Sequence, residues 1–328
     1  MKYLVTGSSG HLGEALMRTL RGMDHEVFGI DVLASPHTDL VGSIADRELV
    51  RAHMRDVDAV LHGATLHKPH VATHTMQDFI DTNVSGTLVL LEEAVRAGVK
   101  TFVFTSTTST FGDALRPPPN QPAAWITEDI VPVPKNIYGV TKTAAEGLCE
   151  LFHKKHGVAC PVLRTSRFFP EEDDNTAVRC EFTDANAKAN EFLYRRVDID
   201  DVVQAHLCAL ERAHTIGFDR FIISATTPFQ YEDLRELRTN APAVLAGRVP
   251  EYADVYAQLG WKMFAGIDRV YVNAKARQLL GWKPRHDFRE VIGRIARGED
   301  PRSALAIQVG SKGYHEQVFE HGPYPVDL

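Results

Sequence analysis

The chain has 328 residues, 44% of them hydrophobic and 24% charged, proportions of an ordinary globular protein able to bury a large core. Its 43 acidic against 36 basic residues leave a net charge of −7, which argues against nucleic acid as a partner held by bulk electrostatics. No apolar run approaches the ~18 residues needed to span a bilayer.

Residues 2–6 form a short apolar run ending in Thr6-Gly7-Ser8-Ser9-Gly10-His11-Leu12-Gly13, which passes into the helical pattern of 14–20. Glycines at these spacings permit a tight turn, close backbone approach to a pyrophosphate and close helix–strand packing, with free N–H groups at the helix start facing phosphate. The strand before and the helix after give the turn its context. Because the chain opens directly on this strand, no signal peptide is expected. The second strand, 26–30, ends at Asp31, within about 20 residues of the turn. A carboxylate there accepts from ribose hydroxyls and repels a 2′-phosphate, and no Arg or Lys lies between Asp31 and Asp46. NAD is therefore favoured over NADP.

The alternation continues with a helix at 45–55 and a strand at 58–62 running into Gly63-Ala64-Thr65. Helices follow at 76–84 and 85–97, the latter closed by Gly98, and then a buried strand at 101–105. This order predicts an α/β fold, a doubly wound parallel sheet with its ligand at the strands' carboxyl ends. The last strand opens into the hydroxyl-rich loop Thr105-Ser106-Thr107-Thr108-Ser109-Thr110-Phe111-Gly112, at the edge where the cofactor must lie. Pro117-Pro118-Pro119 reads as a surface excursion.

In Asn136-Ile137-Tyr138-Gly139-Val140-Thr141-Lys142, a helix would put Tyr138 and Lys142 on one face, one turn apart. A phenol is a poor base at an unperturbed pKa of about 10, but a neighbouring ammonium and an oxidised nicotinamide both favour its anion. The pair suits proton removal from an alcohol that is losing a hydride. By spacing alone, a surface i,i+4 pair is the plainer reading. Further on, 198–214 reads as a helix, 220–223 as a strand and 231–239 as a helix. From Pro301 onward, through Gly313-Tyr314-His315 and Gly322-Pro323-Tyr324-Pro325, periodicity is lost. Cys149, Cys160, Cys180 and Cys208 form no C-x-x-C pair, so idle thiols in a reducing, cytoplasmic setting are expected.

Taken together, the glycine turn, the strand-end Asp31, Asn83-Val84-x-Gly86-Thr87, the hydroxyl loop ending Phe111-Gly112 and Tyr138-x-x-x-Lys142 resemble the extended short-chain dehydrogenase/reductase family. Within it the likeness is to the NAD-dependent epimerase/dehydratase branch, the group of UDP-galactose 4-epimerase. Val162-Leu163-Arg164 resembles the family's sixth strand, Val197-Asp198-Ile199-Asp200-Asp201-Val202 its "hVxDva" segment, and 275–284 its C-terminal signature. The resemblance implies a Rossmann domain over 1–165 with 198–224 returning to it, a substrate lobe from 166–197 and 225–300, and a tail over 301–328. It also implies Tyr138 as base, Lys142 as electrostatic partner and ribose ligand, and Thr107 holding the reacting oxygen. Gly7, Gly10, His11, Leu12 and Gly13 would surround the pyrophosphate, with Asp31 on the ribose. Ser43 and Ile44 would lie against adenine, Ser43 departing from the usual Asp. Gly63 and Ala64 would line the cofactor, with Thr105 and Ser106 beneath the nicotinamide.

Other departures bear on substrate. Thr107 is followed by Thr108 and Ser109, without the Asp-Glu that 4,6-dehydratases use, so dehydration is disfavoured. Arg167 stands where nucleotide-sugar epimerases place an Asn, and Arg167, Arg179, Arg195 and Arg196 offer a clamp for a carboxylate or phosphate, or in part plain surface. Glu171-Glu172-Asp173-Asp174 reads as a solvated loop. His67-Lys68-Pro69-His70, with His62 and His74 nearby, lies where substrate enters; no carboxylate or Cys shares the spacing, so no metal is expected. Thr107, Thr108, His67 and Arg167 are thus the candidate contacts to a small, sugar-like and possibly anionic substrate. A nucleotide-sugar 4-epimerase proper, or a non-catalytic NAD-binding regulator, are the alternatives. The family also implies a homodimer through 85–97 and 138–156, although Leu88, Leu91, Val95, Ala144, Leu148 and Leu151 equally suit packing on the sheet.

Overall fold

The computed structural model describes residues 1–313 and Phe319. The body alternates strand and helix: β1 (Lys2–Thr6), α1 (His11–Gly22), β2 (Glu26–Asp31), β3 (Leu40–Val41), α2 (Arg47–His53) and β4 (Ala59–His62). Then come α3 (Met76–Phe79), α4 (Gly86–Ala97), β5 (Thr101–Thr107), β6 (Ala124–Ile126), α5 (Ile137–His156) and β7 (Cys160–Thr165). After α6 (Thr176–Glu181) and α7 (Asp184–Glu191), α8 (Ile199–Ile216) and β8 (Phe218–Ile223) return to the body.

Seven parallel strands form one sheet in the order β3-β2-β1-β4-β5-β7-β8. Every residue of β4, β5 and β7 is buried, as both faces of an all-parallel sheet must be covered. On one face Leu16, Met17 and Leu20 of α1 and Val202, Ala205 and Ala209 of α8 pack on Val5, Leu61, Val103 and Leu163. On the other, Leu90 and Leu91 of α4 and Ala145, Cys149 and Phe152 of α5 cover Leu4, Val60, Phe102 and Val162. Each fully buried side chain of this size contributes about 1.5–3 kcal/mol. The strand order reverses between β1 and β4, which opens a crevice at their carboxyl ends.

The smaller lobe contains α9 (Leu234–Leu237), α10 (Ala241–Arg248), α11 (Tyr252–Leu259), β9 (Arg269–Tyr271) and, past α12 (Ala274–Leu279), α13 (Phe288–Ala296). Its own core joins Phe229, Leu237, Leu245, Tyr256, Phe288 and Ile292. The polyproline excursion ends in β6, which pairs in parallel with β9 through Trp125 and Val270, so that part of the chain is stitched to the lobe. Residues 274–282, expected in the lobe, instead pack Ala276, Leu280 and Trp282 into the body, with Trp282 Nε1 donating to Asp201 O at 2.9 Å.

The stretch after Pro301 also differs from its aperiodic reading. Ser303 caps a further helix, α14 (Ala304–Val309), whose Val309 joins the body core, and Ser303 N donates to Asp198 at 3.1 Å. Tyr314, His315 and the motif at 322–325 lie outside the described residues. No helix among the described residues is long and apolar enough to cross a membrane.

Candidate active site

β1 ends in a turn built from main chain. Gly7 has φ +77°, and a Cβ there would stand 2.8 Å from Ala64 N; one on Gly13 would fall 1.8 Å from Gly7 O. Backbone from β1, α1 and the end of β4 therefore converges with no side chain between. Gly10 N donates to Gly7 O at 3.1 Å, and α1 begins at His11 without a side-chain cap, leaving its first N–H groups for a ligand. Asp31 accepts from Ser9 N at 3.0 Å and Leu33 N at 2.9 Å, which fixes its carboxylate and leaves lone pairs for hydroxyls. Ser43 turns its oxygen to Ala45 N, and Ile44 is buried beside it.

This turn floors a cavity of about 1710 Å³. Small-ligand sites run to about 300–1,000 Å³, so there is room for a dinucleotide and a second molecule. Every residue expected at the base, the cofactor or the substrate contacts lines it, whereas His62, Arg179 and Arg196 do not. The glycine cradle, the open helix start and the held Asp31 together fit a dinucleotide: Gly7, Gly10, Leu12 and Gly13 at its phosphates, Asp31 at a ribose.

Asn136 caps α5 by accepting from Gly139 N at 3.0 Å, which puts Tyr138 and Lys142 on its buried face. Lys142 Nζ donates to Thr105 O at 2.6 Å and lies 4.1 Å from the Phe104 ring centroid. Burial draws this ammonium down to about 7, against the opposing pull of the Glu146 carboxylate. Burial likewise pushes the Tyr138 phenol up to about 12, and a hydrogen bond from the Thr107 hydroxyl opposes that rise. The expectation that Lys142 holds the phenol anionic differs from this geometry, since the amine is turned to the Thr105 carbonyl.

Strand alternation also redirects the hydroxyls expected under a nicotinamide. Thr105 Oγ1 meets His206 Nε2 of α8 at 2.8 Å, while Ser106 Oγ donates to Glu146 of α5 at 2.6 Å. Glu146 further accepts from Arg164 at 3.0 and 2.7 Å and from Arg220 at 3.0 Å. Asn83, in a π-helical turn over Ile80–Ser85, accepts from Leu66 N at 2.8 Å and donates to Thr141 at 3.0 Å, tying the loop after β4 to the helix that carries Lys142.

The lobe side corrects the reading of the charges. Asp173 and Asp174 are buried, not solvated. Arg167 donates to Asp173 at 2.8 Å and Glu191 at 3.2 Å; Arg195 pairs with both, and Arg196 donates to Glu191 at 2.7 Å. Arg179 reaches the Asp173 carbonyl at 2.5 Å. Arg167, Arg195 and Arg196 thus neutralise the chain's own acids and Arg179 is held on a carbonyl, so none presents a vacant clamp. Glu171 meets His11 Nε2 at 2.9 Å, accepts from Ser311 Oγ at 2.8 Å and receives Lys312 N and Gly313 N at 3.2 Å. His67 packs on Phe169 with ring centroids 5.4 Å apart, and its backbone N–H donates to His70 Nδ1 at 3.0 Å. Among the described residues, Asp200, Asp201 and His286 are grouped closely enough to suit a cation, but they lie outside the cavity. Arg285 pairs with Asp200, and Asp201 accepts from His286 N at 2.9 Å and Nδ1 at 3.1 Å.

Sequence reasoning missed Arg116, Lys135, Lys312 and Gly313 on the cavity wall. Lys135 had a signal, standing three residues before Tyr138; Lys312 had none.

The model of the NAD dependent epimerase/dehydratase family matches residues 3–222, and the chain belongs to that family. It is an NAD-dependent enzyme of the extended short-chain dehydrogenase/reductase type. It is 27% identical over 323 residues to a UDP-glucose 4-epimerase of Lactobacillus helveticus, covering 88% of this chain and 93% of the relative. It is 28% identical over 330 residues to a dTDP-glucose 4,6-dehydratase of Streptomyces antibioticus, covering 90% and 91%. A short-chain dehydrogenase/reductase superfamily protein of Agrobacterium tumefaciens, solved with NAD bound, superposes with TM-score 0.65 at 23% identity, covering 94% and 99%.

Proposed function

We propose that Tyr138 takes the proton of a secondary alcohol on a sugar or sugar-acid substrate while Thr107 holds the reacting oxygen. Bound NAD supplies the hydride acceptor and a positive charge that favours the phenolate. The observation that carries this reading is the shared corner: Thr107 and Tyr138 line the same cavity, the Thr107 hydroxyl opposing the rise of the phenol, and Lys142 lies buried one turn further along the same helix. Lys142 anchors to the Thr105 carbonyl and is the candidate ribose ligand. Asp31, with no nearby cation between 31 and 46, supports NAD over NADP.

With Thr108 and Ser109 following Thr107, no carboxylate stands in this loop to drive elimination. Epimerisation or net oxidation is the reading that remains. Retention of Tyr138, Lys142 and Thr107 speaks against a non-catalytic NAD-binding regulator. The near full-length likeness to a UDP-glucose 4-epimerase keeps a nucleotide sugar as the second reading for the substrate. A cytoplasmic homodimer is proposed through α4 and α5, where Val140 and Leu151 stand 46% and 42% exposed although Leu91 is buried on the sheet.

Turnover followed with added NAD separates the outcomes. Product isomer without net reduced nicotinamide marks an epimerase, and stoichiometric reduced nicotinamide marks a dehydrogenase. Neither event with any sugar, sugar acid or nucleotide sugar would overturn the reading.

A further inference from the structure

Gly112 ends the hydroxyl loop with φ +52°, and a Cβ on it would lie 1.9 Å from Val133 O. The main chain is joined there: Val133 N donates to Phe111 O at 3.3 Å and Asp113 N to Val133 O at 2.9 Å. Segments 112–116 and 133–135 therefore leave one joint, the first coiling through Asp113–Leu115, and both lie in the chain between the loop carrying Thr107 and the helix carrying Tyr138. Each ends in a cation on the cavity wall, Arg116 on one and Lys135 on the other.

Of the cavity's other cations, Lys68, Arg167, Arg195, Arg269 and Lys312 each pair with a carboxylate of this chain, while Lys142 donates to the Thr105 carbonyl and Arg238 to the Pro117 carbonyl. Arg116 and Lys135 form no ion pair among the described residues. After partial burial, the charges acting most on Lys135 are Arg116, Lys68, Asp113 and Arg269, of which Asp113 alone is negative, and together they hold the ammonium below its usual range. Two unpaired like charges brought to one rim repel, and an oxyanion between them removes that repulsion.

We propose that Arg116 and Lys135 form a specificity site for an oxyanion of the substrate, a carboxylate or a phosphoryl group, carried away from the carbon that is oxidised. The assignment rests on the reading that substrate reacts between Thr107 and Tyr138. It moves anion recognition from the arginines after β7 to the opposite rim, where the charge is free.

The test is calorimetric titration of the NAD-loaded enzyme with D-glucuronate, its neutral amide, glucose 1-phosphate and UDP-glucose. The expected result is that at least one anionic probe binds more tightly than the amide, and that Arg116→Gln and Lys135→Gln each weaken it about 10-fold. Amide and NAD affinities should hold, and added salt should erode the wild-type preference. Preference for glucuronate identifies a carboxylate, and preference for glucose 1-phosphate or UDP-glucose a phosphoryl group. The proposal is overturned if wild type binds no anionic probe better than the amide, if both variants bind within about twofold of wild type, or if anionic and neutral binding fall together. Tyr138→Phe in the same titration separates the two readings, because its turnover reports the chemistry while its binding reports the anion site.

Discussion

Lys142 sits one helical turn beyond Tyr138, yet its amine is spent on the Thr105 carbonyl and the Phe104 face. Burial holds its folded pKa at about 7 against 10.5 for the free side chain. The unfolded chain therefore binds more protons between those values, so in cofactor-free protein this contribution to stability is full above 10.5 and gone below about 7. Lys142→Met should flatten that rise, read as thermal midpoints of the cofactor-free protein across the alkaline range, while cutting turnover of the holoenzyme at least tenfold. Glu146 is the complementary case, a buried carboxylate serving Ser106, Arg164 and Arg220. Glu146→Gln leaves Arg164 buried with its charge uncompensated and should cost about 3–5 kcal/mol, measured from denaturant midpoints. Tyr138 and Lys142 were legible because their spacing is set by the helix they sit on. The aim of the Ser106 hydroxyl was not, because it depends on which face of β5 each residue takes.

At the level of elements, the glycine turn and the segment that crosses it differ in how far they could be read. Gly13 admits no side chain, because a Cβ would meet Gly7 O at 1.8 Å. Gly13→Ala should reduce NAD affinity more than tenfold by equilibrium titration, since α1 must back away from β1. Residues 311–313 are held over the start of α1 by Glu171, whose carboxyl falls to about 2 through its His11 and Ser311 partners despite the opposing effect of burial. That depression means the clasp is fully present above the ordinary carboxyl value of 4.5 and fades as pH falls toward about 2. Glu171→Gln should speed amide hydrogen exchange at Lys312 and Gly313, with the rest of α1 unaffected. The glycine turn is local chemistry and was plain in the sequence. The acidic run was misread because Asp173 and Asp174 find their partners in Lys68, Arg167 and Arg195, and composition of one loop carries no trace of those.

Across the whole molecule, alternation of buried strands and amphipathic helices was enough to give the doubly wound sheet, since each strand must be covered on both faces. The lobe was less legible. β6 and β9 have three residues each and pair residues far apart in the chain, too short a signal for periodicity to register. Trp282 and Val309 enter the body core from a region assigned elsewhere, because an apolar residue does not announce which of two cores it fills. The two lobes meet over the cavity, which leaves room for a substrate between the hydroxyl loop, α5 and the lobe and for a dinucleotide at the strand reversal. The central claim, that the Tyr138 phenol moves the substrate's proton as the hydride leaves, is tested most directly by rapid-mixing absorbance of the NAD-loaded enzyme. Wild type should show reduced nicotinamide on the first turnover, and Tyr138→Phe should bind NAD equally well but form it at least a hundredfold more slowly. Reduction at the wild-type rate in Tyr138→Phe would contradict the account.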